Sequence, residues 1–479
     1  VEAGVDGLVH LFADEPLDGL DADPISLGHF ESPGGNLLAG IPPLGQRHTI
    51  SPSSGVAEGA VLTSETREQY ELEGDANRVG RLDRFFRNRV VERLQSVITR
   101  GQLRIEDSIG ILELGAGQEP LAEVRVHDMR FWRLMATGGS VGAAEAYMAA
   151  LWDSPDLVAV IQVLARNREA LNAMDEGGAR LSGALLSIWH RFNRNSLKGS
   201  RRNIAAHYDL GNDFFAAWLD SSMMYSSGIY LSPDDSLEQA QINKLDRICQ
   251  RLNLRPNDHL VEIGTGWGGL AIHAARHYGC RVTTTTISRE QHDFARSAIR
   301  AAGLSDRIDL RLDDYRDLEG RFDKLVSIEM IEAVGHDYLD TYLAQIDQLI
   351  KPDGLALIQA ITIEDFRYAK ALKSVDFIKR YVFPGSFIPS VSAVAQSMAR
   401  ATRLGLVELV DFGASYARTL KDWRERFEAA WERIEPMGFD DVFRRRWRFY
   451  LAYCEGGFRE RAISDIHLLM AEPIQHTRH

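Results

Sequence analysis

Cysteine is scarce in this 479-residue chain: Cys249, Cys280 and Cys454 are the whole supply. They lack the paired spacing of a zinc site and are too few for a disulfide framework, so a reducing, cytoplasmic setting is the simpler reading. No apolar run approaches the ~18–20 residues that span a bilayer, and the first residues are not basic-then-apolar. Neither an integral membrane protein nor a secreted precursor is expected. An excess of positive charge is also missing. The formal net charge is -13, but residues 1–80 hold 14 acids against 3 bases, which leaves 52 bases and 54 acids in the remainder. A nearly neutral body carries no electrostatic footprint for nucleic acid, and it does not repel an anionic lipid surface. What is present is ordinary globular material, 45% hydrophobic and 26% charged, enough for roughly two to four domains.

Residues 1–75 mix Gly, Pro, Asp and Ser without helical or strand period, and read as a poorly ordered acidic segment. From about residue 80 the pattern changes. Leu82, Phe85, Phe86, Val90, Leu94, Val97 and Ile98 recur at three- and four-residue steps, which predicts an amphipathic helix. Strands are expected around Ile109–Leu114 and Ala122–Val126, then a Gly-rich turn, a helix, a stop at Ser154-Pro155 and a helix over 156–175. Residues 80–190 thus read as a small α+β domain. A basic hinge, RFNRNSLKGSRR, fills 191–202. From about 240 strands alternate with helices, which predicts a doubly wound, mostly parallel sheet of the Rossmann-like kind over the C-terminal part of the chain.

One loop in that alternation carries chemistry. Val261-Glu262-Ile263-Gly264-Thr265-Gly266-Trp267-Gly268-Gly269 joins a strand to a helix. Glycines there let the backbone turn tightly and approach a ligand. A dinucleotide site wants an acid about 20 residues further on for the ribose, but Thr283–Thr286 stand there instead. Glu262 would repel a pyrophosphate and suits the ammonium of an amino acid. A nucleoside with an amino acid tail and no phosphate is S-adenosylmethionine, so a methyltransferase is favoured over a nicotinamide dehydrogenase.

Several stretches strengthen that reading: HYDLGNDFF (207–215), MMYSSGIY (223–230), TISREQ (286–291), DDYRDL (313–318), EMIEAVGHDY (329–338), DFIKRYVFPGSFIPS (376–390), FGASYARTL (412–420) and YLAYCEGGFRER (450–461). With the glycine loop, they make residues 200–479 resemble the cyclopropane-fatty-acid synthases, including the mycolic-acid methyltransferases. Residues 80–190 more weakly resemble that family's accessory domain. The resemblance implies a class I methyltransferase fold and methyl transfer from S-adenosylmethionine to the cis double bond of an acyl chain, usually within a membrane phospholipid. It also implies peripheral association with the inner face of the membrane, and it is compatible with a homodimer. The alkene attacks the sulfonium methyl, a carbocation forms, and a base removes a proton from the new methyl so that a ring closes. Such a site must be dry, and aromatic faces stabilise the cation without reacting. Phe377, Tyr381, Phe383, Phe387, Phe412, Tyr416, Trp423, Phe427 and Trp431 are candidates.

Carried over residue by residue, Tyr225, Ser226, Glu262, Gly264, Gly266, Trp267, Gly268, Thr286, Ile287, Ser288, Gln291, Asp314 and Tyr315 resemble the family's cofactor contacts. In many bacterial members the proton acceptor is a bicarbonate held by a cysteine, a glutamate, a histidine and a tyrosine. Here Glu332 and Tyr416 match, while Ser227 stands for the cysteine and Gln359 for the histidine, as in the plant-type branch. The resemblance therefore leaves two roles open for Glu332: base, or orienter of bicarbonate. Cys454 resembles a reactive position of the family. Two other outcomes stay open, a methylene- or methyl-branched product and a lipid-binding protein without turnover. For membrane contact the hinge 191–202 and Phe443-Arg444-Arg445-Arg446-Trp447-Arg448 are the candidates.

Overall fold

A computed structural model describes residues 80–168 and 210–473. The acidic segment 1–75, the basic hinge 191–202 and the far end of the helix expected over 156–175 lie outside the described residues.

The first helix, Arg81–Val97, buries Val90, Val91, Leu94 and Val97. Its first turn departs from the expected apolar face, because Leu82 and Phe85 are 55% and 57% exposed. Arg87 takes the inner position instead, paired with Asp107 at 2.6 Å and lying over the Trp132 ring. Four strands follow: β1 Gln102–Asp107, β2 Gly110–Gly115, β3 Leu121–Val126 and β4 Trp152–Asp153, in the order β2-β1-β3-β4. β1 pairs parallel to β3, while the other pairs are antiparallel. β1 was not expected. The Gly-rich turn is a kink inside one element: helix Arg130–Met148 breaks at Gly139 (φ 55, ψ -133), which only glycine adopts easily. Helix Leu157–Arg166 begins where Ser154-Pro155 predicted, with Asp156 accepting from the Ala159 N–H as N-cap.

The second layer is a seven-stranded sheet, ordered β10-β11-β9-β8-β5-β6-β7. Its strands are β5 His259–Ile263, β6 Arg281–Thr285, β7 Ile308–Arg311, β8 Phe322–Ile328, β9 Ile350–Ile363, β10 Gly405–Asp411 and β11 Ile463–Ala471. β5 through β9 pair parallel, and β11 alone runs against its neighbours. The five parallel strands follow the alternation read from sequence; β10 and β11 were not foreseen. The KPDG turn expected before β9 is absorbed into the start of that strand, where the register with β8 shifts. The chain reverses direction across the sheet on either side of β5, which opens a crevice at the β5 carboxyl end.

Helices Leu237–Arg251, Arg289–Ala301, Val391–Ala401 and Asp441–Arg459 begin at Ser236, Ser288, Ser390 and Asp440, each side chain accepting from the N3 amide. Such caps contribute about 1 kcal/mol each. The two layers share one hydrophobic core, in which Trp132, Tyr147 and Trp152 join Phe449, Trp447 and Phe214. Of the 443–448 arginines, Arg445 serves this junction, and Arg444 and Arg448 pair within the second layer. Arg445 donates to the Tyr147 and Trp152 carbonyls and to Asp153, while Arg444 and Arg448 both donate to Glu428. Phe443 and Trp447 are buried. Aromatic and arginine spacing that suits a membrane helix suits an interlayer helix equally well, and burial decides between them.

Candidate active site

A cavity of about 660 Å3 opens at the carboxyl ends of β5, β6, β8 and β9. It reaches from the glycine loop to the three helices of the first layer, where Leu94, Met135, Ile161 and Leu164 form part of its wall. One continuous apolar space therefore joins both layers.

At one end lie the residues expected to hold a cofactor. Tyr225, Ser226, Glu262, Gly264, Gly266, Trp267, Thr286, Ile287, Gln291, Asp314 and Tyr315 all line the cavity. Gly266 has φ 52, and a Cβ built there meets no protein atom within 4 Å, so the loop leaves open space for a ligand at that point. Gly264 is tight for a different reason: its Cβ would lie 2.7 Å from Met330 Cγ. Glu262 is buried, accepts from the Thr284 hydroxyl at 2.6 Å, and burial pushes its carboxyl up to about 8. A cationic ammonium is the partner that such a carboxyl lacks. Gln291 accepts from the Thr286 hydroxyl, and Trp267 is fixed by its indole N–H to Asn212. Two expected contacts sit off the cavity. Ser288 caps helix Arg289–Ala301, and Gly268 has φ 93 and packs on Ala295.

At the other end the structure assembles the expected pocket around a residue that the sequence reading passed over. Glu329 Oε1 accepts from the Ser227 backbone N–H and from Gln359 Nε2, both at 2.9 Å, and Glu329 Oε2 accepts from the Tyr416 hydroxyl at 2.7 Å. Ser227 and Gln359 are fully buried behind it and do not line the cavity, whereas Glu329, Glu332 and Tyr416 do. The Ser227 hydroxyl turns away to the Gly228 carbonyl. Glu332, assigned to this cluster from sequence, makes none of these bonds. It accepts from the Ile361 N–H at 2.6 Å, its Oε2 is buried without a partner, and burial together with Glu329 pushes its carboxyl up to about 8. The clue was available: EMIE holds two glutamates, and only the second was weighed.

Further buried polar groups back this end. Lys244 donates to the Ser226 hydroxyl at 2.7 Å, and burial lowers its ammonium to about 8 against the pull of Glu329, Asp220 and Asp465. Gln359 Nε2 also donates to Asp465, whose carboxyl burial raises well above its ordinary value. Of the aromatic candidates, Phe383, Phe387 and Tyr416 line the cavity. Phe377, Trp423, Phe427 and Trp431 are buried core, and Phe449, Tyr450, Tyr453 and Phe458 supply aromatic walls that were not anticipated. Tyr450 shares a hydroxyl contact of 2.9 Å with Tyr225. Cys454 lines the cavity, but burial raises its thiol far above the ordinary range, which opposes thiolate reactivity.

A glycine loop at the switch point of this sheet with a buried acid beside it is the arrangement of an S-adenosylmethionine-dependent methyltransferase of the class I fold. The chain belongs to the mycolic acid cyclopropane synthetase family, whose model matches residues 195–468. It is 39% identical to the tuberculostearic acid methyltransferase of Mycobacterium tuberculosis over 335 residues, 68% of this chain and 78% of that protein. It is 37% identical to the cyclopropane-fatty-acyl-phospholipid synthase of Escherichia coli over 345 residues, 71% of this chain and 86% of that protein. Among solved structures it is similar to the mycolic acid cyclopropane synthase CmaA1 complexed with SAH and CTAB, with a TM-score of 0.53 and 26% identity, covering 56% of this chain and 97% of that one.

Proposed function

We propose that the protein methylates the cis double bond of an unsaturated acyl chain carried on a phospholipid and closes the product to a cyclopropane. The observation that carries this reading is the continuous apolar cavity. It links an S-adenosylmethionine-type loop to a buried carboxylate–tyrosine cluster through aromatic walls.

When bound, S-adenosylmethionine supplies an electrophilic methyl group. The chain's own residues do the rest. Glu262 holds the ammonium, Gly266 lets the backbone approach, and Gln291 and Asp314 face the nucleoside. Met135, Ile161 and Leu164 receive the acyl chain and exclude water. Tyr416, Phe383 and Phe458 present π faces to the cation that develops beside the new methyl. The carboxylate cluster takes a proton away. Likeness to a tuberculostearic acid methyltransferase supports a second outcome, a branched chain, when a hydride moves before the proton leaves.

Residues 80–168 act in this scheme as the lipid-associated part. No helix among the described residues is long and apolar enough to cross a membrane; in this scheme contact with the bilayer is peripheral. The exposed turn of helix Arg81–Val97 carries it: Leu82 and Phe85 enter the headgroup layer beside the exposed Arg81 and Arg84, and the same helix lines the cavity further on with Val90 and Leu94. The test is incubation of the full chain with S-adenosylmethionine and vesicles of unsaturated phospholipid. A lipid heavier by one methylene unit is expected; cofactor binding without any lipid product would leave a binding protein.

A further inference from the structure

We infer that Glu329 is the proton acceptor of the reaction, and that its side chain does the work of a bound anion at this site. The inference rests on the methyl-transfer reading above.

The hydrogen bonds make the case. A carboxylate offers four lone pairs. Three are taken at Glu329, both on Oε1 by the Ser227 N–H and Gln359 Nε2, and one on Oε2 by the Tyr416 hydroxyl. One acceptor position remains, on Oε2 of a residue that lines the cavity. Three donors fix the group and lower its nucleophilicity. Beside a carbocation it is then suited to removing a proton and poorly suited to forming an ester. The groups that would cradle a small oxyanion are already occupied by the chain's own carboxylate.

The backbone supports a selected role. Glu329 has φ 48, the left-handed region that favours glycine. A buried carboxyl in that conformation costs stability twice, through strain and through desolvation. Glycine would relieve both, yet glutamate stands there. Burial raises the Glu329 carboxyl, while its three donors and the Lys244 charge act in the opposite direction. Glu332 lines the cavity too, but it is placed differently: its Oε1 braces β9 through the Ile361 N–H, and it receives no donor from the Ser227, Gln359 and Tyr416 set.

The step balances. The alkene pair forms a C–C bond to the methyl carbon, and the C–S bond breaks with its pair going to sulfur, giving S-adenosylhomocysteine. The cation is left on the adjacent carbon. Glu329 Oε2 takes one proton from the new methyl, and the released C–H pair closes the ring, or forms a methylene double bond if a hydride has first moved onto the cationic carbon. Glu329 passes its proton to water once product has left.

The test uses the full chain, S-adenosylmethionine and vesicles of unsaturated phosphatidylglycerol, with and without dissolved carbon dioxide. The parent should form equal product in both buffers. Glu329→Gln should lose about 10²–10⁴-fold in product formation, with calorimetric S-adenosylmethionine affinity retained. Glu329→Gly should fold, because the left-handed backbone accepts it, and should regain activity when bicarbonate or formate is added. A parent that depends on bicarbonate, an active Glu329→Gln, or a Glu329→Gly that neither anion rescues would overturn the assignment. A parent that binds cofactor and yields no lipid product would instead overturn the methyl-transfer reading itself.

Discussion

In the proposed scheme Glu262 and Gly266 carry the cofactor end, and each makes a separate prediction. Gly266→Ala sets a methyl group into the open space that the loop keeps for a ligand, at a left-handed φ of 52. Loss of S-adenosylmethionine binding with an unchanged circular dichroism spectrum is expected; undiminished affinity by calorimetry would remove the loop from the site. Glu262 is largely neutral at pH 7, since burial has pushed it up to about 8. An arriving ammonium favours the charged form, so binding should release a proton. Calorimetry in buffers of differing ionisation enthalpy reads that proton, and no buffer dependence would contradict the pairing. Most residues that line this end of the cavity were legible because loop chemistry is local in sequence. Glu329 was not, because it and Glu332 look alike in EMIE. Only the backbone separates them: Glu329 follows β8 at φ 48, while Glu332 lies in the short turn Ile331–Ala333 and bonds to β9.

Helices show where a pattern misleads. The 443–448 arginines have the spacing of a lipid-facing patch, but Glu428 and the Tyr147–Asp153 segment bind them within the protein. Arg445→Gln should therefore lower stability by about 1–2 kcal/mol, read as a shifted denaturation midpoint, without altering vesicle binding. Leu82→Ser with Phe85→Ser should do the reverse, weakening co-sedimentation with anionic vesicles while leaving cofactor affinity intact. Vesicle binding that ignores the Leu82 and Phe85 changes would take this helix out of the membrane contact. The parallel strands β5 to β9 were readable as short apolar runs between helices. β11 was hidden because ISDIHLLMA is apolar without clear alternation and its partners, β9 and β10, lie far back in the sequence. Long-range pairing of that kind leaves little local trace.

Across the whole molecule, the site is built against stability. Glu262 and Glu332 are both raised to about 8 from an ordinary value of 4.5. The folded chain thus holds these protons more tightly than the unfolded chain does. For these two carboxyls, rising pH between the ordinary carboxyl range and about pH 8 must then cost stability. Burial lowers His259, His273 and His467, which gives the opposite slope up to the ordinary histidine range. The fall is therefore expected above it: the cofactor-free melting temperature should drop from about pH 6.5 to about pH 8, and S-adenosylmethionine should recover part of the loss by pairing with Glu262; a melting temperature that rises over that interval would contradict carboxyls held neutral. In the proposed scheme the continuous apolar cavity spanning both layers ties this electrostatic cost to lipid chemistry. Its most direct test is mass spectrometry of unsaturated phospholipid vesicles after incubation with the full chain and methyl-labelled S-adenosylmethionine. The account predicts label in an acyl chain heavier by one methylene unit, with fragmentation or NMR assigning ring or branch. Unlabelled acyl chains, alongside intact cofactor binding, would contradict it.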